Sequence, residues 1–316
     1  MMENSEITDY LRNLAEEFTK EKRYDDAVLL YRKLVNMRPG DDSFLLALAW
    51  ACHDAGMREE AFGCFEQLLA LELERDVFTG FAFDELVRIL KKDGDYERLV
   101  EICKRVVAKL PDDICLLGDL GEAYLKAGNA DKAVEVFEKI TEMEPDASMA
   151  LCSLGNARIA AGNFDGAESA YKRAVEIDPM ETGTYYNRLS QVYFEAGHNE
   201  RAEAALRRCI EYRPDEPAYH LSLGDILIRQ GRLSDATVSY EKAVELNRQY
   251  AGAYYNRLGN TLAKTDYHLQ AVDIFEKAIA VDPGNPFYYL RLAESYTAIG
   301  LPDMAEKARR EAESLK

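Results

Sequence analysis

Apolar residues along this chain recur three or four positions apart, in runs that a glycine or a proline interrupts at regular intervals. Residues 114–147 show the pattern most cleanly. Leu117, Leu120, Gly121 and Tyr124 fall on one stripe of a first helix, and Ala133, Phe137 and Ile140 on one stripe of a second. Gly128 lies between them and Pro145 closes the segment. Two apolar stripes so close in sequence must face each other, which predicts a helical hairpin. Small residues where the axes come closest, such as Gly121 against Ala133 or Gly155 against Ala167, predict a separation near the lower end of about 8–10 Å. A larger side chain there overpacks the contact, at a cost of roughly 1–3 kcal/mol.

The hairpin recurs almost without pause every 34 residues. Offset 20 is occupied in turn by Ala27, Ala61, Leu99, Ala133, Ala167, Ala202, Ala236, Ala271 and Ala305. Glycines from Gly56 to Gly300 stand where the first helix must end and reverse, which a positive φ permits. Pro39, Pro111, Pro145, Pro179, Pro214 and Pro283 stop the second helix, with Leu73 and Arg248 standing in at two other closing positions. One hairpin cannot bury both sides of its helices, so each leans on its neighbours and the array becomes one cooperative solenoid.

These residues resemble the tetratricopeptide repeat, which has an aromatic residue or Leu at offset 4, Leu at 7, Gly at 8, Tyr at 11, Ala at 20, an aromatic at 24, Ala at 27 and Pro at 32. The resemblance covers nearly all 316 residues. It implies an all-α fold, a right-handed α-solenoid of about nine helix-turn-helix repeats forming a single superhelical domain over residues 1–316. The repeats fall at approximately 8–41, 42–75, 80–113, 114–147, 148–181, 182–216, 217–250, 251–285 and 286–316. It also implies a non-catalytic scaffold or adaptor whose ligand groove is the concave face, lined by the first helix of every unit at offsets 2, 5, 6, 9, 12 and 13.

Charge and composition remove several alternatives. The 39 Lys and Arg face 57 Asp and Glu, a formal charge of −18. Binding to phosphates needs clustered cations that release counterions, so nucleic acid is not an expected partner. The start, Met1 to Glu6, lacks a basic stretch followed by an apolar run, and no later segment approaches about 20 unbroken apolar residues. The expectation is a cytoplasmic protein without membrane insertion. Cys52, Cys64, Cys103, Cys115, Cys152 and Cys209 show no Cys-x-x-Cys spacing and read as small buried hydrophobes. His53, His198, His220 and His268 belong to four different units and form no ligand pair, so no metal or other cofactor is expected. No phosphate loop or nucleophile elbow appears, and the chain does not read as an enzyme. Arg309 at offset 24 and the polar tail behind it predict a last helix that faces water and caps the stack, with no further domain after it.

Three insertions depart from the period. About four extra residues intrude at Asp76-Val77-Phe78-Thr79, followed by Phe81 and Phe83. A second helix lengthened by one turn, with its aromatics folded inward, is one reading. An exposed interface patch at Phe78 and Phe81, used for docking or for a homo-oligomer, is the other. The remaining two insertions are twins of one residue each, in units that both carry Tyr-Tyr-Asn-Arg-Leu, at 185–189 and 254–258. An extra residue in the preceding loop puts Tyr186 and Tyr255 at offset 4 and Asn187 and Asn256 at offset 5. An extra residue inside the helix makes Arg188 and Arg257 the insertions and creates a bulge. The loop keeps the helical hydrogen bonds.

Candidate groove residues follow. Asn187 and Asn256, with Asn156 and Asn260 at offset 9, resemble the asparagine ladder in the repeat domain of O-linked N-acetylglucosamine transferases. Amides can hold an extended peptide by its backbone with little regard for sequence. Arg188, Arg229, Arg257, Lys264 and Arg291 lie near the same face against Asp225, Glu195 and Glu294, which would favour an acidic segment unless these charges pair with one another. The carboxylate clamp of chaperone-tail-binding members is not met: Asn256 and Asn260 lack the Lys, and Phe287 stands where a Lys is needed beside Arg291. The expected partner is another protein, bound as an extended peptide or a helix between units five and nine. Four units span about 40 Å, room for approximately 12 extended residues.

Overall fold

A computed structural model describes residues 4–315. Among them every long element is an α-helix. The first hairpins are α1 (Asn4–Lys20) with α2 (Tyr24–Met37), α3 (Asp42–Asp54) with α4 (Arg58–Glu74), α5 (Phe81–Asp93) with α6 (Tyr96–Lys109), and α7 (Ile114–Lys126) with α8 (Ala130–Met143). The others are α9 (Ser148–Ala160) with α10 (Phe164–Ile177), α11 (Thr182–Glu195) with α12 (Asn199–Tyr212), α13 (Pro217–Arg229) with α14 (Leu233–Leu246), α15 (Ala251–Lys264) with α16 (His268–Val281), and α17 (Pro286–Ala298) with α18 (Pro302–Ser314). These nine hairpins among the described residues are the nine repeats expected. The chain divides between Ile140 and Thr141, inside α8, into two compact units.

Local chemistry sets the helix ends. Asp41 and Asp113 accept from the backbone N–H of Ser43 and Leu116 at 3.1 Å, each capping a first helix with about 1 kcal/mol. The reversal after α9 places Gly162 at φ +79°, and the same position holds Lys22 at +61° and Asp266 at +65° in the first and eighth hairpins. Those two L-residues carry a left-handed conformation that glycine adopts without steric cost.

In the first unit, α4 runs 17 residues where α2 and α6 have 14, so the insertion lengthens a second helix before the chain turns at Asp76 (φ +52°). Phe78 lies half-buried with its ring 6.1 Å from buried Phe83. Phe81 and Val77 remain 42% and 59% exposed, beside a recess of about 340 Å³ that Leu46, Leu68 and Ala82 also line.

In the second unit, each twin insertion forms a 3-10 turn ahead of the first helix, over Pro179–Glu181 and Arg248–Tyr250, and α11 and α15 then run as unbroken α-helix. The extra residue therefore lies in the connection, with Asn187 and Asn256 at offset 5. Gly183 and Gly252 open these helices beneath the hydroxyls of Tyr219 and Tyr288, where a Cβ would come within 2.6 and 3.2 Å.

One expectation gains a partner and one needs correction. The small offset-8 residue lies against the backbone of the alanine at offset 20, as Ser190 Oγ donating to the Ala202 carbonyl at 2.8 Å shows, and where offset 24 is aromatic that ring is the nearer neighbour still. A Cβ on Gly121 would stand 2.6 Å from Phe137, and one on Gly155 2.7 Å from Tyr171, with the Ala167 carbonyl oxygen at 3.4 Å. The planar ring fills the space that a missing methyl leaves. Cys115, at offset 2 of α7, is exposed, while the other five cysteines are buried. Burial pushes the Cys103 and Cys209 thiols up to about 12, with the Asp119 carboxylate adding to the rise at Cys103, as inert core groups. Among the described residues no helix is long and apolar enough to cross a membrane.

Candidate functional site

The first helices of the second unit adjoin one another, α9 with α11 and α13 with α15 and α17, and their offsets 5, 6, 9 and 13 lie on the shared face. Along it the side chains follow a rule that links three elements. With its amide oriented so that both of its atoms find complementary partners, Asn156 on α9 donates from its nitrogen to the Tyr171 hydroxyl at 2.5 Å and to the Cys152 carbonyl at 3.2 Å, while its oxygen accepts from Arg188 Nη2 of α11 at 3.2 Å. The same device recurs 69 residues later with an acid at its centre. Asp225 on α13 accepts Arg257 Nε at 3.0 Å and Nη2 at 2.6 Å on Oδ2, and Thr261 Oγ1 at 2.9 Å and the Tyr240 hydroxyl on Oδ1. A tyrosine at offset 24, a polar residue at offset 9 and the arginine at offset 6 of the next unit thus stitch neighbouring hairpins together.

Burial explains the selection of these partners. Tyr171 and Tyr240 are fully buried, and a buried phenol needs a hydrogen-bond partner. Desolvation raises the pKa of both, and the Asp225 carboxylate raises that of Tyr240 further, whereas Arg188 opposes the rise at Tyr171. Asp225 is only 16% exposed while Arg257 keeps 44% of its side chain in water, so the acid is the member most dependent on its partners.

The intervening pair of hairpins lacks the tyrosine and the arginine, and its polar residue is turned to its own helix. Leu206 stands at offset 24, Gln191 at offset 9 and Ser222 at offset 6 of the next unit. Gln191 bonds along its own helix to Glu195 at 3.0 Å. Where the stitch is missing, a recess of about 330 Å³ opens between α11 and α13, lined by Asn187, Gln191, Phe194, Ser222 and Arg229 among others. Arg229 closes one rim, donating to the Phe194 carbonyl at 3.1 Å with its guanidinium 3.8 Å from the Phe194 ring centre.

The structure therefore distributes the candidates anticipated from sequence. Asn187 lines the recess and, among the described residues, its amide makes no hydrogen bond, as is also true of Asn260 on α15. The Asn256 amide oxygen is shut away from solvent without a partner. Asn156 is spent on Tyr171 and Arg188. Arg257 is spent on Asp225, and Arg291 pairs with Glu294 on its own helix at 2.7 Å. Of the guanidinium charges expected to draw in an acidic segment, Arg257 and Arg291 are thus matched by carboxylates within the chain, whereas Arg188 and Arg229 meet only the neutral Asn156 amide and the Phe194 carbonyl. Phe78 and Phe81 lie in the other unit and belong to no part of this face. Ser222, Phe194 and the bridging tyrosines escaped the sequence reading. The signal that finds them is the 69-residue period of the tyrosine, polar and arginine positions, twice the basic repeat plus one inserted residue.

Sequence models of the tetratricopeptide repeat match residues 45–76 and 82–114, 119–180 and 187–254, and 252–285. A peroxisomal targeting signal receptor of Yarrowia lipolytica is 36% identical over 75 residues, which are 24% of this chain and 12% of that receptor, so the chain corresponds to a small part of it. Among solved structures, the MamA protein is 24% identical with a TM-score of 0.39, over 54% of this chain and 92% of that one. The APC/C hetero-tetramer Cut9–Hcn1 is 16% identical with a TM-score of 0.40, over 96% of this chain and 72% of that one. YrrB, a TPR protein with an unusual peptide-binding site, is 19% identical with a TM-score of 0.37, over 58% of this chain and 93% of that one. With repeat models matched along most of its length, the chain belongs to the tetratricopeptide repeat family, a family of protein-interaction scaffolds.

Proposed function

We propose that the protein is a non-catalytic adaptor of the cytoplasm that holds a segment of a partner protein on the first-helix face of its second unit, centred between α11 and α13. The observation that carries this reading is the recess at the unstitched pair, where Asn187, Ser222 and Phe194 are not committed to the bridge that fills the neighbouring pairs. Amide and hydroxyl groups offer donors and acceptors to a peptide backbone, and the Phe194 ring offers an apolar wall.

Ser222→Arg tests it by installing the offset-6 arginine that the adjacent units carry, which fills the recess while following the fold's own pattern. Wild type and variant, matched for helicity and melting, are compared by capture from native extract with mass spectrometry. A partner retained by wild type and lost by Ser222→Arg supports the groove; equal retention moves the site elsewhere.

A second reading, self-association, is favoured by the exposed Val77 and Phe81 beside their apolar recess. Light scattering decides it. A dimer that Phe81→Ser dissociates supports this reading, and a monomer at every concentration removes it. Phe78→Ser is the poorer probe because its ring packs on Phe83.

A further inference from the structure

The 69-residue duplication also repeats a contact on the second-helix side, and there its two copies differ in charge. In the later copy Tyr255 of α15 donates to Glu241 Oε2 of α14 at 2.8 Å, and Lys277 Nζ of α16 donates to Glu241 Oε1 at 3.0 Å. One carboxylate, set between two second helices, thus takes a phenol and a cation.

In the earlier copy Tyr186 of α11 stands for Tyr255 and Arg208 of α12 for Lys277, but Lys172 of α10 stands for Glu241. Arg208 Nη1 donates to the Tyr186 hydroxyl at 3.0 Å, which leaves the hydroxyl hydrogen free to donate outward. Among the described residues no carboxylate pairs with Arg208. Lys172 reaches only Glu176, at 3.8 Å and with both side chains more than 60% exposed, an ion pair of little strength. A recess of about 250 Å³ occupies the place, and its rim carries Lys172, Arg201 and Arg208 against the single acid Glu168. Arg201 is already committed to Glu168 at 2.7 Å. A guanidinium without a carboxylate and a weakly paired ammonium therefore converge with a phenol donor on a hollow, in a chain whose net charge is −18.

We propose that this recess between α10, α11 and α12 binds a carboxylate side chain from an acidic segment of a partner protein. The partner's carboxylate takes the position that Glu241 fills internally in the other copy, accepting from Arg208 and Tyr186 with Lys172 as the third donor. The site lies between the second helices α10 and α12, with Tyr186 reaching into it from α11, and it shares no lining residue with the recess between α11 and α13.

Titration calorimetry at low ionic strength with a blocked hexaglutamate peptide tests it. Wild type should bind at one site, weakening steeply as salt is added. Lys172→Glu, which copies the residue of the other repeat pair, should melt no lower than wild type yet lose binding at least tenfold. Glu241→Lys should gain a second site, with stoichiometry near two. No binding by wild type, or equal binding by Lys172→Glu, would overturn the proposal. A phosphoserine peptide that binds far more tightly and is lost in Lys172→Glu would overturn the choice of carboxylate in favour of a phosphoryl group.

Discussion

The two stitches of the second unit use the same positions with opposite polarity. Around Asn156 the amide donates to Tyr171 and accepts from Arg188, so the tyrosine receives a hydrogen bond. Around Asp225 the carboxylate only accepts, so Tyr240 must donate, Thr261 joins, and Arg257 supplies a full counter-charge. A buried tyrosine can be satisfied by a neutral or by an ionic partner in the same solenoid. The ionic version gains charge-assisted bonds but leaves a buried anion whenever one member is removed.

That difference should appear first in truncation. Asp225→Ala orphans Tyr240 and Arg257 together and should cost about 2–3 kcal/mol, while Asn156→Ala leaves only neutral Tyr171 and a partly solvated Arg188 and should cost about 1 kcal/mol. Denaturant unfolding with hydrogen exchange along α13 and α15 measures both. Equal costs would show that the charge adds nothing.

The fold was legible because its determinants are local and repeated. Offsets 7, 8 and 20 recur in almost every unit and the aromatic at offset 24 in six of the nine, and each follows from the packing of one helix on the next. The one-residue twins were also visible, and the 3-10 turns at Pro179 and Arg248 show that the chain absorbs them in connections, where no helical bond is broken. The site was harder to read because groove position and groove availability differ. Arg257 lies on the expected face, yet Asp225 on the preceding first helix captures it, across 32 residues of sequence. The recess, conversely, exists through what Leu206, Gln191 and Ser222 fail to make, and a missing interaction leaves no motif.

The glycine beneath each tyrosine extends the comparison. Gly155→Ala should destabilise by roughly 1–2 kcal/mol, because a Cβ would lie 2.7 Å from the Tyr171 ring and the overpacking outweighs alanine's better helix propensity of about 1 kcal/mol. Gly118, in α7, has nothing within 4 Å of such a Cβ, so Gly118→Ala should stabilise by about 0.5–1 kcal/mol. Opposite signs in thermal melts confirm that the ring, and not the helix, demands the glycine; a stabilised Gly155→Ala would break the link between the offset-8 residue and the stitch.

Alkaline titration separates the stitches by charge. Tyr193 and Tyr255 are pushed up to about 12, mainly by burial, and Tyr171 and Tyr240 also stand above the ordinary value. Raised values stabilise the fold fully below about pH 10, and that stabilisation is lost as pH climbs through the folded pKa values. Absorbance at 295 nm, followed with circular dichroism, should therefore show these tyrosines ionising together with unfolding above about pH 10. Asp225→Asn should bring ionisation of Tyr240 to lower pH, and Arg188→Ala should move Tyr171 to higher pH.

The most discriminating effect is the difference between two exchanges, because swapping the central residues of the stitches should not be symmetrical. In Asp225→Asn the hydroxyls of Tyr240 and Thr261 can turn to accept from the new amide, whose oxygen still receives Arg257. The pair becomes a copy of the Asn156 stitch, and the cost should stay near 1 kcal/mol. In Asn156→Asp the Tyr171 hydroxyl can also turn, but the Cys152 carbonyl, which now receives the amide at 3.2 Å, would face a carboxylate oxygen with no proton between them. The gain at Arg188 offsets part of that repulsion, and a net cost of about 1–2 kcal/mol should remain at neutral pH. It should shrink as the new acid protonates below its own pKa, since a protonated carboxyl again offers a donor. A pH-independent cost for Asn156→Asp would mean that the difference between the stitches lies in shape rather than in charge.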